Sequence, residues 1–367
     1  MKKILIILLN ILLVVLMTGC RGKKQMDDKY IEKLTVLLVP SKDADVIMEA
    51  ASGNFESGYR SLAQIIIDGL ELRGYTVDEV DVSVAASYTA VCDGLVSGTA
   101  DIGFVPADTY VLYSAGIDLL VEALRYGIAG DDGEVIDPAL GIEPWNTGKT
   151  RDAKGTAVGY VSLIYVNVAT DIGKELFEKV QTGTLTWEDI NEVSWNVGAR
   201  SSAAGYIFPS LWLNKTFGEG VENEKRTIEN LENVIIDESG FSVLMENLLK
   251  GECNITVGYA DVRKETASIE AFEATYPQLA AEGKTIWDII KVIAVSDYIM
   301  NDTVSVARQS VCPKMTFELV KALQEVFIEF GDTDEGKAAV KPYNHAGYVI
   351  GRDSDYDSTR QASELFQ

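Results

Sequence analysis

A helix, a glycine stop and a strand follow one another twice in this chain with identical spacing. The helix start, the glycine and the residue that opens the strand are Tyr88, Gly98 and Asp101 in the first copy and Phe241, Gly251 and Asn254 in the second. Strand, helix, strand series with short joints build α/β sheets with parallel neighbours, which bind ligands at the carboxyl ends of strands and the amino ends of helices. We therefore predict two similar lobes whose helix starts face each other across a cleft. The alternative explanation is that unrelated βαβ units also have similar lengths.

Apolar periodicity predicts the other elements and their division between the lobes. A chain of 367 residues, 47% of them apolar, exceeds what one compact core usually holds. We predict a first lobe from residues 34–161 together with 300–367, a second lobe from residues 162–299, and hinge crossings near 162–168 and 292–303. The segment Gly127–Lys154 is rich in Gly, Asp and Pro and is predicted to be a long surface excursion. The predicted strands are 34–39, 77–84, 101–105, 162–168, 234–236, 255–259, 292–295 and 303–306, and the predicted helices are 62–72, 88–95, 242–249 and 317–330.

The first twenty residues predict where the chain works. Lys2 and Lys3 precede a short apolar stretch, and small residues follow it before Cys20. This pattern is typical of an export signal, and the ending Met-Thr-Gly-Cys resembles a bacterial lipobox, whose cysteine is acylated. We predict a signal peptide over residues 1–19, lipid attachment at Cys20, a flexible tether over residues 20–33 and a location on the extracytoplasmic face of the cell membrane. The alternative, a retained transmembrane helix, is disfavoured by the shortness of the apolar stretch.

The charge of the chain excludes nucleic acid as a partner. Its 56 acidic and 32 basic residues give a formal charge of −24, and the basic residues form no long run. Phosphate backbones and anionic lipid surfaces would repel such a chain. The membrane therefore enters the prediction only through the lipid anchor.

Cysteine and histidine are too sparse to indicate catalysis or a metal site. Cys92, Cys253 and Cys312 lie far apart without a CxxC pair, so we expect buried free thiols and no disulfide framework. His345 is the single histidine and has no cysteine or second histidine near it in sequence. One histidine is enough for a nucleophilic triad in principle, but no nucleophile elbow accompanies it. We predict a protein that is not an enzyme and needs no metal or cofactor.

Five short segments occur in order along the body of the chain. They are Tyr88-Thr-Ala-Val, Gly159-Tyr-Val-Ser, Ser202-Ala-Ala-Gly-Tyr-Ile-Phe-Pro, Gly251 to Asp261 and Ile299-Met-Asn-Asp-Thr-Val. Together with the tail Tyr348–Arg360, their order and spacing resemble the phosphonate, phosphate and phosphite substrate-binding proteins of ABC importers, a part of the type 2 periplasmic binding proteins. The resemblance covers about residues 34–360. It implies an α/β fold of two lobes, each a mixed sheet flanked by helices.

The resemblance also implies a binding site. Its members hold a phosphoryl group at the amino end of a helix, where unpaired N–H groups and the helix dipole favour an anion. Position by position, the implied ligand contacts are Tyr88, Tyr160, Ser202, Asp261 and Asp302, to which the Ser201 hydroxyl and the backbone amides of Ala203 and Ala204 are added. Each also has a structural alternative: Ser202 as an N-cap, the tyrosines as core or rim aromatics, and the aspartates as solvated or capping residues. Arg200, beside the turn, is expected in a surface salt bridge rather than on an anion.

Three positions depart from the pattern of the family. Ala203 and Ala204 stand where two further hydroxyls are common, and Phe241 stands where some members have a histidine. Two carboxylates, Asp261 and Asp302, would repel a dianion and suit a ligand that also carries an amine or an acidic proton. The resemblance thus implies a small anionic or zwitterionic ligand, with a less charged or more aromatic solute as the alternative.

The expected function is that of a lipid-anchored solute-binding protein that delivers its ligand to an ABC permease. A sensor that presents the ligand to a membrane kinase would have the same fold and stays open. A surface hydrolase is disfavoured because the chain offers no nucleophile and base.

Overall fold

The computed structural model describes residues 29–54, 56–218 and 225–366. The predicted signal peptide, Cys20 and most of the predicted tether lie outside these residues. Where the tether is described, the prediction is wrong, because the first strand already begins at Tyr30 rather than at Leu34. Charged residues alternate with inward-facing ones in this strand, and Ile31 is only 4% exposed.

The first sheet is mixed and contains both ends of the described chain. Its strand order is β14-β4-β13-β3-β1-β2, with β5 paired to the far end of β4. Strand β1 is parallel to β2 and β3, as predicted, whereas β13 runs antiparallel to β3 and β4. These strands are β1 (Tyr30–Leu38), β2 (Thr76–Val84), β3 (Ile102–Val105), β4 (Ile117–Ala129), β5 (Arg151–Ala157), β13 (Thr303–Ala307) and β14 (Gly347–Val349).

The second sheet is also mixed and has a core on each face. Its order is β11-β7-β10-β8-β9, in which β7 is antiparallel to both neighbours and β8 is parallel to β10 and β9. Alternate residues of β7 enter opposite cores: Leu163 and Tyr165 one, Ile164 and Val166 the other. These strands are β7 (Ser162–Asn167), β8 (Trp195–Val197), β9 (Val234–Ile236), β10 (Ile255–Tyr259) and β11 (Ile290–Val295).

A short antiparallel ribbon joins the two sheets. The chain leaves the first sheet through β6 (Gly159–Tyr160) and returns through β12 (Ile299–Met300), and these two strands pair with each other. The return lies within the predicted crossing at 292–303. The outward crossing lies before the predicted one, because Ser162–Asn167 is already a fully buried strand of the second sheet. The lobe boundaries at residues 162 and 300 stay a prediction. The division of the strands between the two sheets agrees with it.

Helices flank both sheets, and the two predicted repeats are confirmed as elements. The helices Tyr88–Ser97 and Phe241–Lys250 each span ten residues, end at a left-handed glycine and lead into β3 and β10. In the part of the chain that the structure describes, no helix combines the length and the apolar character needed to cross a bilayer. The helices are α1 (Ala44–Ala51), α2 (Leu62–Glu71), α3 (Tyr88–Ser97), α4 (Ala107–Tyr113), α5 (Glu143–Asn146), α6 (Asp171–Thr182), α7 (Trp187–Asn191), α8 (Phe208–Phe217, after a π-helical turn Ala203–Ile207), α9 (Phe241–Lys250), α10 (Thr266–Thr275), α11 (Pro277–Ala281), α12 (Ile286–Ile289), α13 (Phe317–Gly331), α14 (Asp334–Ala339) and α15 (Asp357–Leu365).

The predicted surface excursion Gly127–Lys154 is wrong in two respects. Its ends are strands, since β4 extends to Ala129 and β5 begins at Arg151. Its middle is buried against the second lobe, where Ile136 and Trp145 join the same core as Leu163. The Gly, Asp and Pro content marked the turns correctly, but the few large apolar residues between them decide where the segment packs.

Candidate functional site

The helical segment 203–217 begins at the wall of a cavity between the two lobes. Ser202 is its N-cap and accepts a hydrogen bond on Oγ from Gly205 N at 3.0 Å, which is the structural alternative given for this residue, and its predicted contact with a ligand stays a prediction. Ser162 Oγ, on β7, donates to the carbonyl of Ala204 at 2.6 Å and holds the turn against the sheet. The amides of Ala203 and Ala204 have, by position, no acceptor within the helix. Such a helix start favours an anion.

Arg125, on β4, lines the same cavity as this helix start. Its Nη2 donates to Asp302 Oδ2 at 2.9 Å. Its Nε is buried and has no acceptor among the described residues. Because buried donors are nearly always paired in folded proteins, this N–H is suited to an oxygen supplied by a ligand.

Asp302 is held from a second side by His345. His345 Nε2 lies 3.1 Å from Asp302 Oδ2, and Nδ1 lies 3.0 Å from the Tyr348 hydroxyl. Burial lowers the pKa of His345 more than Asp302 raises it, so the ring is neutral at pH 7 and its Nε2–H donates to Asp302. Burial raises the pKa of Asp302, but the hydrogen bond from His345 and the charge of Arg125 outweigh it and hold this pKa below its usual value. Asp302 is therefore an ionised carboxylate with a fixed orientation.

Two cavities share this region of the interlobe surface. Their volumes are 430 and 500 Å³, and Arg125, Tyr160 and Ala203 line both. Tyr160 lies on the crossing strand β6, and burial raises the pKa of its hydroxyl. The first cavity adds Ser202 and Ala204, whereas the second adds Ser201 and Asp302. Six of the eight sequence-predicted contacts are thereby brought together.

Tyr88 does not lie with the six predicted contacts on the interlobe cavities. It is the first residue of α3, behind the N-cap Ser87, and is 39% exposed. It lines neither of the two interlobe cavities. Of the two helix starts predicted to face each other, only Phe241, at the start of α9, lies on a cavity wall.

Asp261 does not form the contact expected of it, and this prediction needs correction. Its side chain is 0% exposed and faces away from both cavities' linings toward Arg263, which is also fully buried. Arg263 donates from Nε and Nη2 to the carboxylate, and Thr150 Oγ1 donates to Asp261 Oδ2 at 2.8 Å. Burial raises the pKa of Asp261, yet the Arg263 charge more than offsets this and lowers it overall. Asp261 does not meet a ligand because Arg263, two residues further along the chain, neutralises its carboxylate.

Arg200 and the three cysteines, which the sequence also singled out, form a salt bridge or are buried. Arg200 forms a salt bridge with Glu229, as expected. Cys92, Cys253 and Cys312 are free and buried, and burial raises the pKa of the Cys92 and Cys253 thiols to about 12. Among the described residues, no group of His, Cys, Asp and Glu side chains is arranged to hold a metal ion.

Sequence reasoning missed Arg125 and the role of His345. Both depend on β4 and on the tail, which meet only in the folded chain: β14 pairs with β4 through Tyr348 and Ala123. One feature of the sequence does indicate this strand: residues 117–129 carry an apolar run of strand length. That run would have placed Arg125 near the end of a strand.

The comparisons with known proteins agree with this fold. The chain matches the model of the family described as "ABC transporter, phosphonate, periplasmic substrate-binding protein" over residues 48–356, and it belongs to that family. The predicted resemblance and the two-lobed α/β fold class are therefore confirmed. No curated protein matches the chain.

Several solved structures match the chain at low identity. Mh-p37 of Mycoplasma hyorhinis is 10% identical, with a TM-score of 0.54 over 92% of this chain and 99% of that one. PhnD1 of Prochlorococcus marinus, in complex with methylphosphonate, is 12% identical, with a TM-score of 0.41 over 93% and 99%. The phosphonate transporter component PA3383 of Pseudomonas aeruginosa is 13% identical, with a TM-score of 0.38 over 91% and 86%. At these identities the likeness concerns the fold alone.

Proposed function

We propose that this chain is the lipid-anchored solute-binding component of an ABC importer and captures a phosphonate or a related phosphorus oxyanion between its lobes. One observation carries the choice of ligand: Arg125, whose Nε–H has no acceptor in the described part of the chain, lines the same cavity as the helix start at Ser202, Ala203 and Ala204. A guanidinium and helix-terminal amides together suit the several oxygens of a phosphoryl group. The membership of the chain in a phosphonate-binding family supports the same choice.

Asp302 shapes the proposed ligand further. With Asp261 neutralised inside the second lobe, Asp302 is the sequence-predicted carboxylate that lines an interlobe cavity, the one of 500 Å³. It is ionised and lies beside Arg125, so it can accept a hydrogen bond from an ammonium group or from the acidic proton of a monoprotonated oxyanion. Both an amino phosphonate and a monoprotonated phosphonate or phosphite fit these partners.

Calorimetry on the full-length chain in detergent tests this ligand class. We expect methylphosphonate, 2-aminoethylphosphonate, phosphite or phosphate to bind, and Arg125→Gln to weaken the binding at least tenfold. Arg308→Gln is the matched control, because Arg308 pairs with Asp118 and lines neither interlobe cavity. If no phosphorus oxyanion binds while a neutral heterocycle does, the phosphoryl assignment is wrong and only the solute-binding fold remains.

The anchor is tested separately. Cys20→Ala should abolish incorporation of a radioactive fatty acid, because the acylated thiol is absent. Cys253→Ala serves as the control, since that thiol is buried in the second lobe. Labelling of the Cys20→Ala chain would show that Cys20 is not the site of attachment.

A further inference from the structure

The 430 Å³ cavity continues beyond the proposed anion site into an aromatic compartment. This compartment is defined by the aromatic side chains on the cavity wall, which are Tyr126, Trp145, Tyr160, Phe241, Tyr259 and Tyr298. Phe241 and Tyr259 pack edge to face with ring centroids 5.3 Å apart. The two oppositely charged side chains on the wall, Lys264 and Asp152, are paired with each other at 3.0 Å. The compartment therefore offers an apolar, aromatic surface rather than a second ionic site.

The walls formed by Trp145, Phe241 and Tyr259 are fastened to one lobe, whereas Tyr126 lies on β4 of the first sheet and Tyr160 on the crossing strand β6. Trp145 belongs to the segment between β4 and β5, and its carbonyl accepts from Arg263 Nη2 at 2.7 Å. Asn146 exchanges two hydrogen bonds with Val292 on β11, at 2.8 and 2.9 Å. Phe241 and Tyr259, on the opposite side, belong to α9 and β10 of the second sheet's lobe. A movement of one lobe against the other would leave these three walls together.

The buried pair Asp261–Arg263 secures this attachment. Arg263 Nη1 also donates to the Ile290 carbonyl at 2.8 Å, and Asp261 accepts from Thr150, so the pair ties the end of the segment that precedes β5 to the second lobe. The Trp145 indole N–H is buried, in a residue 2% exposed, and has no acceptor among the described residues. A donor without a partner on a cavity wall is a second sign that a ligand is expected there, in addition to the Arg125 Nε–H.

We infer that the ligand of this chain is a phosphonate or phosphate monoester that carries an aromatic ring. The inference rests on the proposed function, because the anion is placed at Arg125 and the helix start. The ring then lies in the aromatic compartment, which shares its cavity with that site. A methyl substituent would displace only about one or two water volumes of about 30 Å³ each, whereas ligand-sized pockets measure about 300–1,000 Å³. Ala203, Ala204 and Phe241, which replace polar groups of the family pattern, favour the same ligand.

Paired ligands test the inference on the full-length chain in detergent. We expect phenylphosphonate to bind at least tenfold more tightly than methylphosphonate, a ratio that corresponds to about 1.4 kcal/mol. Phe241→Ala should remove most of this preference by weakening phenylphosphonate much more than methylphosphonate, since one aromatic wall is lost. Phe317→Ala is the matched control, because Phe317 also starts a helix but is 76% exposed and lines neither interlobe cavity.

A second variant covers the case in which Phe241→Ala does not fold. Val135→Trp would fill the compartment from its outer wall and should also abolish the preference for the ring. Equal affinity of the wild type for the two phosphonates, or an unchanged preference in both variants, would overturn the inference while the proposed function stands. Absence of binding by both phosphonates would overturn the inference alone if 2-aminoethylphosphonate, phosphite or phosphate binds, and would overturn the two together if none of these binds.

Discussion

At the scale of single residues, the two sequence-predicted aspartates have opposite roles. Asp302 keeps its charge at the cavity, held between Arg125 and His345. Asp261 has its charge cancelled by Arg263 in the interior, where it fastens a wall instead of meeting a ligand. Removing one partner of a buried pair is costly because the other charge is left unpaired. Substitutions at Asp302 should therefore report on binding, and those at Asp261 on the architecture of the wall.

Two substitutions at the start of the helical segment 203–217 should change the affinity for a phosphonate by very different amounts. Ser202→Ala removes the cap of Gly205 N and should weaken phosphonate binding by only about 1–2 kcal/mol, because most of the contact comes from main-chain amides. Ala203→Asp places a competing carboxylate at the proposed anion site and should abolish detectable binding without unfolding the chain, since an acidic residue is tolerated at a helix start. Calorimetry on folded variants measures both. Unchanged affinity in Ala203→Asp would show that the ligand lies elsewhere.

Asp302 gives a prediction about the cation of a zwitterionic ligand. Asp302→Asn should weaken 2-aminoethylphosphonate by more than tenfold through the lost ion pair and change methylphosphonate much less. The comparison of two ligands on one variant separates recognition of the ammonium group from a general disturbance of Arg125 and His345, which both contact this side chain. An equal loss for both ligands would contradict the role proposed for Asp302.

At the scale of elements, strand β4 connects the tail of the chain to the wall of the interlobe cavities. It pairs with β13, β14 and β5, and it carries both Arg125 and Glu122. Glu122 is 3% exposed and faces the short turn Asp353–Tyr356 that precedes α15. A Cβ at position 351 would collide with the Glu122 carboxyl, so a larger residue than Gly351 would require the Glu122 side chain to shift. The tail is thus docked on a buried acid of the first sheet.

This contact makes the stability of the tail depend on pH. Burial, and then the nearby Asp355, raise the pKa of Glu122 to about 7. A raised folded-state pKa means that the contribution of the group is fully present below about pH 4.5 and is lost as the pH rises through about 7. Relative to wild type, Glu122→Gln should therefore be more stable at pH 8 than at pH 5, with a change in the difference of up to about 3 kcal/mol.

Thermal unfolding at the two pH values measures this difference. Glu282→Gln, at an exposed position, is the matched control and should show no such pH dependence. His345 titrates in the opposite sense, because its lowered pKa costs stability as the pH falls below about 6.5. A Glu122→Gln curve parallel to that of wild type would contradict the protonated state proposed for Glu122.

At the scale of the whole molecule, binding of a ligand at the proposed site between the lobes should stabilise the fold as a unit. A correct ligand at 100 times its dissociation constant adds about 2.7 kcal/mol, because it binds the folded chain alone. For a chain of this size we expect the melting temperature to rise by on the order of 5 °C. Melting of the full-length chain with and without each phosphonate measures this rise, and Arg125→Gln should reduce it. A rise of the same size in Arg125→Gln would place the ligand away from the proposed site.

The sequence by itself determined the local elements and their order. Strands such as Ile255–Tyr259, helices such as Phe241–Lys250 and their glycine stops follow from contacts between residues a few positions apart, which periodicity records. The order of short motifs was enough for the family, and the N-cap role of Ser202 followed from residue type. Six of the eight contacts that the resemblance implied lie on the interlobe cavities.

The tertiary structure alone decided which charges remain at the site and what encloses it. Arg125 meets the helix start at Ser202 only because β6 and β12 bring the two sheets together. Asp261 leaves the site because Arg263 turns inward with it, and the segment between β4 and β5 becomes a cavity wall because Trp145 finds a core on the other lobe. These outcomes depend on the burial of a few large or charged side chains against distant parts of the chain. A linear pattern does not contain the partners, so it cannot weigh the desolvation of a charge against the ion pair that compensates it.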